Sequence, residues 1–187
     1  MLTKANALVS VVMLAALSMA PTPALAGPGD KGHGHGHGHG SAAKIGAPGK
    51  ASAATRTIEV SLKDNYYEPE NISVKAGETV RFKVKNDGDL VHEFAIATPE
   101  MHVAHQPEMQ MMMDHGVLFP ERIDYAAGKA MQKSMGHGMH EEHNSLLLEP
   151  GKSGEVVWTF PAKGELEFAC NVPGHYDSGM VGRFTLK

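Results

Sequence analysis

Polar and apolar residues alternate with period two along much of the C-terminal two thirds of the chain. Thr57-Ile58-Glu59-Val60-Ser61-Leu62 is one such stretch, and 71–75 and 79–85 repeat it. A period of two puts successive side chains on opposite faces of a strand, so each segment predicts a half-buried β-strand. The turn Ala76-Gly77-Glu78 separates the last two, and Asn86-Asp87-Gly88-Asp89 is a turn by composition. Further strands are predicted at 91–96, 146–149, 155–160, 165–170 and 181–186. The 155–160 segment follows the turn at 150–154, and the 165–170 segment follows the turn at 161–164. About eight short strands punctuated by turn residues, with no strand–helix–strand rhythm, predict an all-β sandwich or barrel. Trp158 reads as packing within its strand. Asp64, Tyr66 and Tyr67 fall in a loop with no assigned role.

Two regions break the pattern. Residues 7–20 are an almost unbroken apolar run behind Lys4, followed by Ala24-Leu25-Ala26. A positive start, a short apolar stretch and a small-x-small site are the marks of a cleaved export signal over 1–26. The run is short of the ~20 apolar residues a membrane span needs, and no later segment is apolar enough to span. The expectation is an exported, periplasmic chain with no membrane span after cleavage. Residues 27–54 hold a Gly-His alternation (His33, His35, His37, His39) and then an Ala/Gly/Ser/Lys/Pro stretch. They lack the apolar residues that offset backbone ordering, so a disordered tail is expected before a domain over 55–187.

The second break is an insertion over 98–144. It carries eight Met (Met101, Met109, Met111, Met112, Met113, Met131, Met135, Met139) and six His (His102, His105, His115, His137, His140, His143). Residues 123–135 have helix-compatible composition, with Met131, Met135 and Met139 four residues apart; Gly136 and Gly138 predict fraying there. An insert of this length in a compact domain tends to be functional or disordered. Met at helical spacing is commonly packing. Interleaved thioethers and imidazoles nevertheless suit copper far better than zinc or magnesium.

Composition sharpens this. The chain has 187 residues, a net charge of −4, 12 His, 12 Met and a single Cys. The charge balance gives no basic face for nucleic acid, and one cysteine excludes an internal disulfide scaffold. The chemistry concentrates in Cys170-Asn171-Val172-Pro173-Gly174-His175-Tyr176-Asp177-Ser178-Gly179-Met180, a C-x4-H-x4-M loop between the last two predicted strands. His92 stands on an earlier strand. Two His and one Cys with a weak axial Met accommodate both Cu(I) and Cu(II). The turn Val172-Pro173-Gly174 would return His175 toward Cys170, and Gly179 would let Met180 approach from below.

These residues carry a resemblance to the cupredoxins, the family of plastocyanin, azurin and rusticyanin, over about 56–187. His92 and the Cys170, His175, Met180 spacing match it. The resemblance implies a Greek-key β-sandwich with one type 1 copper held by His92, Cys170, His175 and Met180. Both His would bind through Nδ1, and the exposed edge of His175 would be the electron doorway. It also implies that the backbone N–H of Glu93 bonds the Cys170 sulfur. Many members carry Asn or Ser at that position to tie the two ligand loops; Glu93 departs from this and predicts a looser tie and a greener, more tetragonal site. The His tail and Met/His insertion together look similar to periplasmic copper-tolerance cupredoxins, with His33, His35, His37, His39 and the insertion's Met and His residues as auxiliary ligands for additional, weaker copper ions. The function expected is copper handling in tolerance or homeostasis, with redox cycling between Cu(I) and Cu(II). The alternative is an electron-transfer cupredoxin. Partners would be copper ions and a periplasmic redox protein or copper-export component. Copper enzymes need further centres built from paired His, often beside the Cys. Ala169 and Asn171 flank Cys170 here, and no catalytic triad is evident, so no enzymatic activity is expected.

Overall fold

The computed structural model describes residues 44–136 and 143–187. The export signal, the four tail histidines His33, His35, His37 and His39, and His137, Met139 and His140 lie outside the described residues.

Among the described residues, ten strands form two five-stranded sheets. The strands are β1 (Ala47–Pro48), β2 (Arg56–Lys63), β3 (Tyr66–Glu68), β4 (Asn71–Val74), β5 (Thr79–Asn86), β6 (His92–Ala97), β7 (Ser145–Leu148), β8 (Ser153–Thr159), β9 (Glu167–Ala169) and β10 (Val181–Leu186). One sheet runs β1-β8-β5-β2-β3 and the other β4-β10-β9-β6-β7. The pairs β2/β5 and β4/β10 are parallel, and the remaining pairs are antiparallel. All eight strands expected from alternation are present. Two short ones, β1 and β3, are additional.

Alternation builds the core directly. In β2, Val60 and Leu62 turn inward, and in β5 Val80, Phe82 and Val84 do so. They meet Phe94, Phe168 and Phe184 from the other sheet. Phe82 lies 5.5 Å from Phe94 and 5.9 Å from Phe184, and Phe94 lies 5.4 Å from Phe168, as ring centroids. Each fully buried aromatic stabilises the fold by roughly 1.5–3 kcal/mol through area removed from water. Trp158 is buried as expected, with Nε1 donating to the Ile45 carbonyl at 2.8 Å.

The low-complexity reading of 27–54 does not hold for its last part. Ile45 is buried in the core, and β1 pairs with the end of β8. One apolar anchor and a few ladder bonds are enough to fix residues that composition alone marks as a tail.

The described residues of the insertion form two helices, α1 (Pro99–Asp114) and α2 (Tyr125–Met135). Thr98 caps α1, its hydroxyl accepting from the Met101 amide, with Pro99 in the first turn. Asp124 caps α2 by accepting from the Ala127 amide at 2.9 Å, and α2 ends at Gly136. Met109, Met112 and Met131 are buried in the hydrophobic core, and Met101, Met111 and Met113 pack against it. Met135 stays 45 % exposed, so Met131 and Met135 do not share a buried face. The insertion covers the outer side of β6. Every residue of that strand is buried, Glu93 included, and His105 of α1 lies 3.8 Å from the Glu93 carboxylate.

Candidate metal centre

The site forms where β6 begins and β9 ends. His92 is the first residue of β6, Cys170 directly follows β9, and the 170–180 loop leads back into β10. Backbone bonds close this loop on itself. His175 N donates to Val172 O at 2.9 Å, Met180 N to His175 O at 3.0 Å, and Cys170 N to Met180 O at 3.2 Å. Gly174 and Gly179 take φ of +85° and +95°, which side chains with a Cβ rarely adopt. The two reversals expected at these positions are therefore present.

The result is a convergence of three donors. Cys170 Sγ lies 3.4 Å from His175 Nδ1 and 3.9 Å from His92 Nδ1. The ligand atoms of all three residues lie within 4.8 Å of one another. A single first-row metal ion with bonds of about 2.0–2.3 Å would hold neighbouring N and S donors roughly 3.6–3.8 Å apart. The observed separations bracket that range, so the donor set fits one ion. Met180 is fully buried on the same loop, and its backbone is bonded to both Cys170 and His175. His92 and Cys170 are fully buried, and His175 is only partly so.

The protonation chemistry fits a metal better than a nucleophile. Burial raises the Cys170 thiol to about 12, against the Glu93 N–H bond that favours the thiolate. Burial thus disfavours a free thiolate there, whereas a coordinated thiol is deprotonated outright. Burial lowers His92 against the opposing pull of Asp64. Burial and the neighbouring His92 lower His175. Both rings are thus held neutral, the form that ligates.

The tie between the ligand loops is made by Glu93, contrary to the expectation of a looser connection. Glu93 N donates to Cys170 Sγ at 3.3 Å. Its Oε2 accepts from Asn171 N at 3.2 Å and Asn171 Nδ2 at 2.7 Å, and its Oε1 accepts from Ser145 Oγ at 2.6 Å. A carboxylate can accept where an Asn or Ser would offer fewer lone pairs, and Asn171 supplies the amide from the other side. The Glu93 carbonyl accepts from Tyr67 Oη at 2.7 Å. Tyr67, left unassigned by its loop position, is a buried core residue on β3.

Other candidate ligands are placed differently. His102 is 1 % exposed, with Nδ1 beside the Asn171 side chain at 3.2 Å from Oδ1. Asn171 Nδ2 lies 3.1 Å from the same ring nitrogen, so the tautomer of His102 decides which amide atom it bonds. The His102 ring stacks obliquely on Tyr176 at 5.7 Å, and Tyr176 Oη donates to Glu167 Oε1 at 2.6 Å. His105 lies between Glu93 and Glu108, and His115 Nδ1 faces the Met111 carbonyl. Met101, Met109, Met111, Met112, Met113 and Met131 take part in packing. Among the described residues, no second group of three His, Cys, Asp or Glu converges as the first does. Sequence reasoning missed Asp64, whose Oδ1 lies 2.8 Å from His92 Nε2. A single loop carboxylate gave no periodic or motif signal to find it by.

Comparison with known proteins bears on the family and the fold. Residues 40–103 match the cupredoxin-like domain family. The chain is 47 % identical over 152 residues to a copper-resistant cuproprotein CopI of Pseudomonas aeruginosa, covering 76 % of this chain and 82 % of that protein. It is 36 % identical over 143 residues to a copper-resistant cuproprotein CopI of Rubrivivax gelatinosus, covering 76 % and 73 %. A solved structure of auracyanin B superposes with a TM-score of 0.54 at 22 % identity, over 76 % of this chain and 96 % of that one, a likeness of fold. By sequence and by fold the chain belongs to the cupredoxin family and, within it, resembles the CopI copper-resistant cuproproteins.

Proposed function

We propose that the chain binds one copper ion at a type 1 centre and handles copper in copper tolerance. His92, Cys170 and His175 would hold the ion through Nδ1, Sγ and Nδ1, with Met180 as the weak axial donor. The observation that carries this is the convergence of a thiol and two imidazoles at 3.4 and 3.9 Å. A soft thiolate with two borderline imidazoles is a donor set for copper in both oxidation states. Support for tolerance comes from the CopI relatives, which are named as copper-resistant. Copper held there would supply a one-electron couple between Cu(I) and Cu(II). The reading makes the chain a metal-handling protein without a catalytic role of its own, exported to the periplasm by residues 1–26. The tail histidines and the exposed insertion residues His115, Met135 and His143 would bind further copper more weakly.

The test is a copper titration of the purified protein followed by visible and EPR spectra. One intensely coloured thiolate site is expected, followed by weaker uncoloured uptake. A wild-type protein that takes up copper without thiolate charge-transfer colour would overturn the type 1 reading. A deletion strain with unchanged copper resistance would overturn the tolerance role.

A second reading, electron transfer with a periplasmic redox protein, has one observation in its favour. His175 is partly exposed, whereas the other two donors, His92 and Cys170, are fully buried. Rapid exchange with a cytochrome, together with one copper per chain and unaltered resistance on deletion, would select this reading over the first.

A further inference from the structure

We propose that Asp64 is a positioning residue for the metal centre: its carboxylate holds the outer nitrogen of His92 so that Nδ1 faces Cys170, and its charge favours the more oxidised metal. This rests on the copper reading above for its second half only.

The inference begins with the donors around Asp64. Oδ1 lies 2.8 Å from His92 Nε2, and the same oxygen accepts from Asp89 N at 3.1 Å and Leu90 N at 3.3 Å. Oδ2 accepts from Asp89 N at 3.3 Å. An ionised carboxylate only accepts, so the hydrogen on this contact belongs to His92 Nε2. A neutral imidazole carries one N–H, and the lone pair is then on Nδ1, the nitrogen 3.9 Å from Cys170 Sγ. The ring is fully buried, so it has no water to take that place.

The surroundings are built to admit this contact. Asp64 lies in the turn between β2 and β3, and the next residue, Asn65, accepts from Ser178 Oγ of the ligand loop at 3.1 Å. Facing it is the turn after β5. Asn86 is fully buried and organises that turn. Its Nδ2 donates to Leu90 O at 2.7 Å and Leu148 O at 2.8 Å, and its Oδ1 accepts from Gly88 N at 3.0 Å. A Cβ at position 88 would fall 2.5 Å from Asp64 Oδ1 and 2.9 Å from His92 Nε2. Only glycine lets the turn close over the carboxylate–imidazole pair.

A carboxylate behind a ligating histidine fixes the tautomer and raises ligand basicity, and losing such a partner typically costs 10–100-fold in metal affinity. A negative charge behind the ring stabilises the higher cationic charge more than the lower. Asp64→Asn keeps an oxygen that can accept from Nε2 but removes the charge. It should lose about tenfold or more in Cu(II) affinity relative to Cu(I), and each tenfold raises a one-electron potential by 59 mV.

The experiment has two arms. In metal-free protein, nitrogen NMR of His92 should show a single Nε2–H tautomer in wild type. A tautomer mixture is expected in Asp64→Ala and in Gly88→Ala, which displaces the carboxylate without deleting it. In copper-loaded protein, Asp64→Asn should keep the thiolate colour at a raised potential. A His92 that holds one Nε2–H tautomer in Asp64→Ala overturns the positioning role, and an Asp64→Asn potential equal to wild type overturns the electrostatic one. A wild type without thiolate colour fails the copper reading instead, and the metal-free arm still decides the role of Asp64.

Discussion

The backbone N–H of Glu93 donates to the sulfur of Cys170 at 3.3 Å, while the carboxylate of the same residue grips Asn171, the next residue along from that sulfur. One side chain thus joins the start of β6 to the end of β9, and the Ser145 hydroxyl fastens it to β7. These hydrogen bonds join the two halves of the donor set.

Removing that grip should loosen the site and the fold together. Glu93→Ala leaves the Asn171 and Ser145 donors without their acceptor in a buried place, at a cost of about 1–3 kcal/mol. Glu93→Gln should cost less, because the Ser145 hydroxyl can reverse its role. The urea midpoints of the metal-free variants check the order, and midpoints equal to wild type for both would show that the tie carries no stability.

The proposed metal donors are separable by spectroscopy. Cys170→Ser should abolish thiolate-to-copper charge-transfer colour, because no other cysteine exists in the chain. Met180→Leu should retain the colour and raise the potential, since a weak donor to Cu(II) is lost while volume is nearly kept. Cyclic voltammetry checks the second, and a lowered potential there would remove Met180 from the donor set.

The sequence disclosed the sandwich because period-two alternation is a direct image of one buried face. Strands β2, β4, β5 and β10 are legible for that reason. Two of the three converging donors were legible because His175 sits at a fixed interval from the cysteine. Helix α1 was not legible. It places Met and His on every side and carries Pro107 inside, which removes the bond to the Val103 carbonyl. That carbonyl belongs to a residue left 57 % exposed, where water can take the vacated bond. Thr98-Pro99-Glu100 was a start signal for the helix that the Met-rich texture obscured. Asp64 was illegible for a different reason. A contact across two turns depends on tertiary closure around Gly88, which no local pattern records.

The core should be most sensitive at Phe168. Its ring is fully buried and meets Tyr67 at 5.0 Å, Phe94 at 5.4 Å and Phe184 at 5.0 Å. Phe168→Ala should cost about 3–5 kcal/mol through lost transfer energy and the cavity left behind. Because Cys170 lies two residues on, copper loading should fall with stability. A metal-free midpoint within 1 kcal/mol of wild type would mean that the aromatic cluster collapses into the space.

Acid should act on the fold through Glu78, far from the metal donors in sequence. Burial alone would raise its carboxyl. The Arg56 guanidinium at 2.9 Å, the Lys75 amide and the Thr55 hydroxyl outweigh that and lower it to about 2. A depressed carboxyl contributes stability that is fully present above its unfolded value near 4.5 and is lost as pH falls toward 2. The full shift corresponds to about 3 kcal/mol, but Arg56 is 44 % exposed and solvent screens the pair, so ~1 kcal/mol is expected. Glu78→Gln in metal-free protein should therefore lower stability at pH 7 and flatten its fall between pH 5 and pH 2. Urea midpoints across that window measure it, and a variant whose acid profile parallels wild type would remove Glu78 as the titrating group.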